Sequence, residues 1–506
     1  MKRFCVFSCA ALCAWAAFAE APDVDYEASI TVNASTGNFA PYLLGSWNYG
    51  KFTEAKGVWQ GAKAIVPVNY DKRFSWGAGV EYLLGYGSAN SYERYEAPGF
   101  YTHSVRPSFA RLQQLYAELK YRGVYITAGM KERHSLIVDD VLSSGDLTRS
   151  NSARPIPGVS VGFIDFQDIP FTNGWVQIDG EIMYGRTTDT GFKTNTFNYY
   201  HGVLATNLWY TYKRCYFRTK PTMPFHIIVG MQTGGTFAGS SKWYSKGNMW
   251  KEENRGFHLR DLWDMFFPME GGEDYYKGSS LGSWDFKACY NFRNGAKLTA
   301  YFEWPWEDGS GIGRRNGWDG VWGLQYNSPS KGWLEKVLIE YVDFTNQSGF
   351  IHFAPGDAPG TDLTAEATGG DNYYNNDYYG AYANYGMSIG SPFPVSPLYN
   401  LNGNPGFEHN RARGMHFAME GSTARAWQYL FKFSYQRAGG SGRLPAVRRL
   451  HDTSAMLQLK WTPAHSLPGL QLKAAVAFDA GNLRGNNFGA LASISYSGHL
   501  SFNKKQ

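Results

Sequence analysis

The 506-residue chain carries 48 Lys and Arg against 43 Asp and Glu, a formal charge of +5, and only 18% of it is charged. So mild a balance, with no run of Lys or Arg, offers no grip on a phosphate backbone and excludes a nucleic-acid partner. No apolar stretch of about 18 residues follows the N-terminal segment, which excludes helical membrane spans. The 35 Tyr, 33 Phe, 17 Trp and 58 Gly fit a barrel with aromatic girdles and a wet interior.

Met1-Lys2-Arg3 precedes an apolar run from Phe4 to Ala16, and Ala17-Phe18-Ala19 places small residues two apart, the pattern a signal peptidase cuts after. A lipoprotein reading centred on Cys13 is weaker, because Leu12 stands where a small residue is needed. Residues 1–19 are therefore read as a cleaved signal and 20–506 as a single outer-membrane β-barrel domain. Cys5, Cys9 and Cys13 leave with the signal. Cys215 and Cys289 remain, too few for a disulfide framework and without the Cys/His spacing of a zinc site. A bridge between them and two free lumenal thiols both fit.

Along the mature chain the dominant period is two. Val176, Ile178, Ile182 and Tyr184 oppose Gln177, Asp179 and Glu181. From Gly256 to Phe267 the pattern changes: Leu259, Leu262, Trp263 and Phe266 fall at helical spacing and Pro268 stops the run. This predicts a short amphipathic helix, serving as a connection, an end-cap or a plug. Gly278-Ser279-Ser280-Leu281-Gly282 matches G-x-S-x-G, but a nucleophile elbow needs a helix after it. Here a strand follows, with Trp284, Phe286, Ala288, Tyr290 and Phe292 alternating with polar residues.

Glu303, Glu307 and Asp308 lie in Tyr301-Phe302-Glu303-Trp304-Pro305-Trp306-Glu307-Asp308-Gly309. Paired carboxylates suit glycoside hydrolysis or calcium, and Pro with Gly suits a plain turn bearing polar lumen or rim residues. The segment from Ala354 to Asn404 is rich in Gly, Asn, Tyr and Pro and reads as a long loop, on the surface or folded into the lumen. Within it Tyr373, Asn375, Asn376 and Asp377 combine an aromatic face with paired donors and acceptors, the chemistry a sugar ring and its hydroxyls require. The alternative is a solvated loop with Asn and Gly in tight turns. His409 and His416, seven apart beside a strand, make a weak metal pair.

The last third returns to alternation. Trp427, Tyr429, Phe431, Phe433 and Tyr435, then Ala455, Leu457, Leu459 and Trp461, then Leu470, Leu472, Ala474, Val476 and Phe478 each share one parity. The final strand, Ala490 to Phe502, sets Ala492, Ile494, Tyr496, Leu500 and Phe502 against Ser493, Ser495, Ser497 and His499. Such segments approach the ~9–11 residues a tilted strand needs to cross hydrocarbon. In lipid only a closed barrel satisfies every backbone group of a sheet. With about 18 strands, each strand and its connection would average roughly 27 residues, which leaves long loops.

Several segments together carry a family likeness. Ser150-Asn151-Ser152-Ala153-Arg154-Pro155-Ile156-Pro157, then Pro170-Phe171-Thr172-Asn173-Gly174-Trp175 and Gly180-Glu181, resembles the core signature of the capsule-assembly Wzi family. Ala34 to Tyr42 is similar to its entry strand, and Glu340 to Asp343, Asn346 to Gly349, Asn372 to Asn376 and His409-Asn410-Arg411 follow in the family's order.

The resemblance implies an all-β fold, a large transmembrane antiparallel outer-membrane β-barrel of about 18 strands with long loops and a few short helices. It implies a lectin-like, non-enzymatic role holding capsular or exopolysaccharide at the cell surface, with no catalytic residue to carry over and no cofactor. Asn151, Arg154, Pro155, Glu303, Glu307 and Asp308 belong to the signature and fit architectural roles. Tyr373, Asn375, Asn376 and Asp377 are the sugar-site candidates. The expected partners are the polysaccharide, outer-membrane lipid and the barrel-insertion machinery, which reads a terminal aromatic such as Phe502; Asn503 to Gln506 behind it fit a short periplasmic extension or a tail that insertion tolerates. Two other readings are a porin-like channel for saccharides or other small solutes and a hydrolase resting on Glu303, Glu307 and Asp308.

Overall fold

Eighteen antiparallel strands close into a ring. The computed structural model describes residues 22–267, 278–307, 314–349, 352–354, 366–424, 426–463 and 466–501. The signal segment, Asp308 and Phe502 thus lie outside the described residues. The staves are β1 (Val24–Phe39), β2 (Glu54–Val66), β3 (Phe74–Gly87), β4 (Ala110–Tyr121), β5 (Val124–Met130) and β6 (Gly158–Phe163). Then come β7 (Val176–Arg186), β8 (Trp209–Thr219), β9 (Phe225–Phe237), β10 (Gly278–Asn291), β11 (Lys297–Trp306) and β12 (Gly320–Asn327). The last six are β13 (Lys336–Asp343), β14 (Ala412–Ala424), β15 (Trp427–Gly440), β16 (Pro445–Trp461), β17 (Leu470–Gly481) and β18 (Asn487–Leu500). The two-residue strand Gln167–Asp168 continues the edge of β7 below β6.

Each stave pairs with its sequence neighbours, and β1 closes the ring by pairing with both β2 and β18, with Ile30 opposite Gln60 on one side and Ile494 on the other. Closure leaves no open sheet edge, which is what the hydrocarbon layer demands of a β-structure. Among the described residues no helix is long and apolar enough to cross a membrane. The strands make the crossing.

The alternating patterns sort as expected. Ile494, Tyr496, Val476, Phe478, Leu457 and Phe286 stand exposed on the outer wall, whereas Ser495, Asp479, Ser454 and Asp285 are buried toward the lumen. Cys215 and Cys289 are both free. Cys289 is buried on the lumenal parity. Cys215 lies between the inward-facing Arg214 and Tyr216 and so points outward, on the opposite face of the sheet. The expectation of two lumenal thiols therefore holds for Cys289 alone.

Connections differ in length between the two ends. At the end holding both termini none exceeds 12 residues, as at 122–123, 292–296 and 164–175; at the other end 441–444 and 482–486 are short, but six run over 40–53, 88–109, 131–157, 187–208, 238–277 and 344–411. Short periplasmic turns and long extracellular loops are the rule for such barrels, which places the long connections outside the cell. Two of these fill the lumen, and part of a third, 40–53, turns in beside them, where Trp47 donates to Ser143 O at 2.8 Å. Residues 131–157 and 369–411 fold back into the lumen, where Leu142, Leu147, Tyr373, Phe393 and Phe407 form a buried core against inward wall residues such as Tyr210, Tyr216 and Leu338. The expected helix forms over Leu259–Phe266, with Asp261 accepting the His258 backbone N–H at 2.8 Å in a capping box. It packs on the outer wall beside β8 and β9 and is no plug.

Candidate functional site

The site is built on top of the filled lumen. Buried backbone donors need partners, and the first inward segment finds them on the wall. Ser144 N donates to Glu340 at 2.6 Å and Leu147 N to Glu303 at 3.2 Å, while Lys287 donates to Leu136 O at 2.9 Å. His416 binds Leu142 O at 2.8 Å through Nε2 and Ser434 at 2.6 Å through Nδ1.

Asn151 and Arg154 are bound into the same architecture. Asn151 donates its amide to Asp140 O at 3.0 Å and accepts Tyr49 N on its own carbonyl at 2.7 Å. The Arg154 guanidinium lies over the Tyr385 ring at 4.4 Å, and its carbonyl accepts the Asn384 amide at 3.0 Å. Pro155 follows, half-buried. The second inward segment is thereby joined to the first, a link reinforced where Tyr374 and Tyr382 donate to Leu147 O at 2.9 Å and Thr148 O at 3.1 Å.

Glu303 and Glu307 do different things. Glu303 stands in the middle of β11 and is fully buried in the lumen, so the strand runs through Pro305 and the expected turn comes later. Pro305 is tolerated because pairing with β12 stops at Glu303, leaving that edge without a hydrogen-bond demand. Glu307, at the rim, accepts Asn372 N at 3.0 Å and Tyr374 N at 2.9 Å. Its carboxylate thus holds the start of the Asn/Tyr loop.

Gly278–Gly282 lies within β10, with no helix behind it. Among the described residues no group of three or more His, Cys, Asp or Glu is placed to hold a metal. His409 lines the outer cleft and His416 is enclosed in the lumen, so the two do not converge.

Outside the plug lies an open cleft of about 970 Å³. Its floor includes Asn375, Asn376 and Asp377, and one wall is a three-stranded sheet of Gly202–Thr206, Gly239–Ser245 and Asn248–Arg255. Asn376 accepts Tyr378 N and Tyr379 N at 2.8 and 3.0 Å, fixing a tight turn. Asn375 exchanges two hydrogen bonds with the Phe407 backbone at 2.8 and 3.0 Å. Asp377 forms an ion pair with Arg443, and its carbonyl accepts the Trp243 indole N–H at 2.9 Å.

Trp243 lies 6.3 Å from Trp250 and 5.9 Å edge-on to Tyr378 between ring centres, and the Lys251 ammonium sits 4.7 Å from its centroid. Trp250 is 63% exposed over the opening. Tyr373 differs from its neighbours in the loop. It is fully buried, with its hydroxyl accepting from Asn316 at 2.9 Å and donating to Asp319 at 3.2 Å. Sequence reasoning passed over Trp243, Trp250, Lys251 and Arg443; two Trp in a polar, Gly-bounded stretch were the available signal.

Comparison with known proteins gives a fold likeness. No protein-family model and no curated protein matches the sequence. Among solved structures, the chain is similar to Wzi, an outer membrane protein involved in group 1 capsule assembly in Escherichia coli and a carbohydrate-binding β-barrel. The TM-score is 0.54 at 13% identity, covering 92% of this chain and 83% of that one. OccAB2 of Acinetobacter baumannii gives a TM-score of 0.47 at 9% identity over 94% and 98% of the two chains, and OpdQ of Pseudomonas aeruginosa 0.47 at 8% over 96% and 99%. At these identities the likeness concerns the fold. The chain is an outer-membrane β-barrel that crosses its membrane many times.

Proposed function

We propose that this barrel binds capsular or exopolysaccharide in the outer cleft and helps attach or assemble it at the cell surface, without cleaving it. The observation that carries the reading is one cleft that combines the exposed face of Trp250, backed by the buried Trp243 and the half-buried Tyr378, with the amides of Asn375 and Asn376 and the Asp377–Arg443 pair. Sugars offer an apolar ring face for stacking and hydroxyls for paired hydrogen bonds, and this lining offers both counterparts. The cleft is open and of the size of small-molecule sites, which suits a chain passing through more than a substrate being enclosed.

A non-enzymatic role is favoured by the fate of the carboxylates. Glu303 faces the buried lumen and Glu307 is spent on two loop N–H groups, so the pair is not set across a space where a glycosidic bond would lie. The porin alternative requires a continuous aqueous path, and the two inward segments take up part of the lumen.

The test is direct binding. The purified, folded barrel should retain surface polysaccharide from its own source on a sensor chip, and a clean deletion strain should make polymer but shed it into the medium. A barrel that binds no polysaccharide while carrying a steady single-channel current would overturn the proposal in favour of transport.

A further inference from the structure

The helix Leu259–Phe266 lies outside the wall, and its contacts say why. On β9, Phe237 has the outward parity, where lipid would meet it, yet it is fully buried. The cover is the helix and the residues leading into it. Phe257 stacks on Trp209 with ring centres 4.0 Å apart, and Met265 packs against Phe237. Gly278 makes the approach tight, since a Cβ there would fall 2.6 Å from the Met265 sulfur.

The contacts then advance along β8 with the helix. Tyr184, paired with Thr211, donates its hydroxyl to Leu262 O at 2.6 Å. Lys213, two residues on, donates its ammonium to Met265 O at 2.8 Å and Phe266 O at 2.6 Å. A lysine on the lipid-facing parity of a spanning strand is costly. The last carbonyls of a helix have no partner in its own ladder, so each end solves the other's problem.

Leu262 of the apolar stripe read from the sequence joins that side, whereas Leu259 and Trp263 are turned away from the protein. Leu259 is 80% and Trp263 66% exposed, and Phe267 lies 4.8 Å from Trp263 between ring centres. A helix that shows such residues to water is unfavourable; beside the lipid-facing wall it continues that wall. We propose that this helix is inserted into the outer leaflet, presenting Leu259, Trp263 and Phe267 to the boundary of headgroups and acyl chains. The strand Asn248–Arg255, which bears Trp250 and Lys251, ends just before it. One wall of the cleft is therefore moored to the membrane lipid. The inference holds whatever the cleft binds.

The experiment uses the full chain in phospholipid vesicles, with Cys215→Ala and Cys289→Ala removing the native thiols. A polarity-sensitive fluorophore is placed on Trp263→Cys and, as an aqueous reference, on Val447→Cys. The Trp263 site should emit to the blue, be quenched by nitroxide lipid, and be quenched by iodide several-fold less than the reference. Equal iodide quenching at the two sites would overturn the inference. Self-quenching that grows with protein density in the membrane would also overturn it, because a second copy would then be the cover. If W263C does not fold, Leu259→Cys carries the same readout.

Discussion

Arg149, on the first inward segment, and Glu181, on β7, face each other through two parallel hydrogen bonds, Nη1 to Oε1 at 3.2 Å and Nη2 to Oε2 at 3.1 Å, deep in the barrel. Arg214 reaches the same carboxylate at 3.4 Å, so Glu181 binds plug and wall together. A bidentate, desolvated pair of this kind fixes geometry as well as charge. Removing one partner of a buried pair costs about 3–5 kcal/mol; here Arg214 keeps Glu181 partly compensated. Arg149→Met should therefore lower stability toward the lower end of that range, about 3 kcal/mol, measured by urea unfolding of the folded barrel. Planar-bilayer recordings of the same variant should show flickering openings against a quieter parent. A variant as stable and as silent as the parent would deny the pair its role.

The two inward segments meet without slack at Gly390. A Cβ there would lie 2.2 Å from Leu147 O and 2.7 Å from the Tyr374 ring. Neither is the free end of a flexible chain, so the backbone must move. Gly390→Val is expected to push the segments apart and lower the melting temperature by several degrees, as overpacking of a tight core typically costs about 1–3 kcal/mol. Increased amide exchange at Ser150, which donates to Ile389 O at 2.8 Å, would localise the damage.

Asp319, in the connection before β12, offers a pH test. It accepts Asn346 N at 3.0 Å, Gln347 N at 2.8 Å and the Tyr373 hydroxyl at 3.2 Å, yet burial pushes its carboxyl up to about 6. The folded chain then holds this proton more tightly than the unfolded chain, whose Asp titrates near 4. Its contribution to stability is complete below about pH 4 and declines as the pH rises through 6, by at most about 3 kcal/mol. Amides 346 and 347 should exchange more slowly at pH 5 than at pH 8 after correction for intrinsic rates. Asp319→Asn should flatten that difference; a difference that persists in the variant would assign it elsewhere.

The staves were readable because lipid and lumen impose opposite polarities on alternate residues. Ile494 and Ser495 sort by that rule, as do Phe286 and Asp285. The plug was only half readable: the segment from Ala354 to Asn404 carried a lumenal reading beside a surface one, and residues 131–157 carried none. Its buried residues include Ser143, Ser144, Thr148 and Ser391, and polar side chains packed into a polar lumen look, one by one, like a solvated loop. Periodicity has nothing to say there, because these segments obey neither period. The helix shows a further limit. Its stripe of Leu259, Leu262, Trp263 and Phe266 was plain, but a stripe names an apolar surrounding and not which one, and lipid lies outside the wall. Tyr373 and Asn376 illustrate the same point within one loop. Composition grouped them; only the fold separates an enclosed hydroxyl from an amide in the cleft.

That separation yields the most telling prediction for the cleft. Tyr373→Phe removes a hydroxyl shared by Asn316 and Asp319, which should cost about 1 kcal/mol of stability while leaving polysaccharide affinity unchanged. Trp250→Ala should behave in the opposite manner. Its ring is mostly exposed and forms part of no core, so stability should hold, and loss of a stacking face worth about 1.4 kcal/mol would weaken binding about tenfold. Asn375, Asn376 and Asp377 are the intermediate cases, since each fixes the loop as well as lining the cleft. Asp377→Asn keeps shape but cancels the charge facing Arg443, and should alter the salt dependence of binding more than its strength in low salt. Surface plasmon resonance on immobilised polysaccharide at two ionic strengths, with unfolding measured in parallel, separates these outcomes. Unchanged binding in the Trp250 variant, with the barrel folded, would move the sugar site out of this cleft.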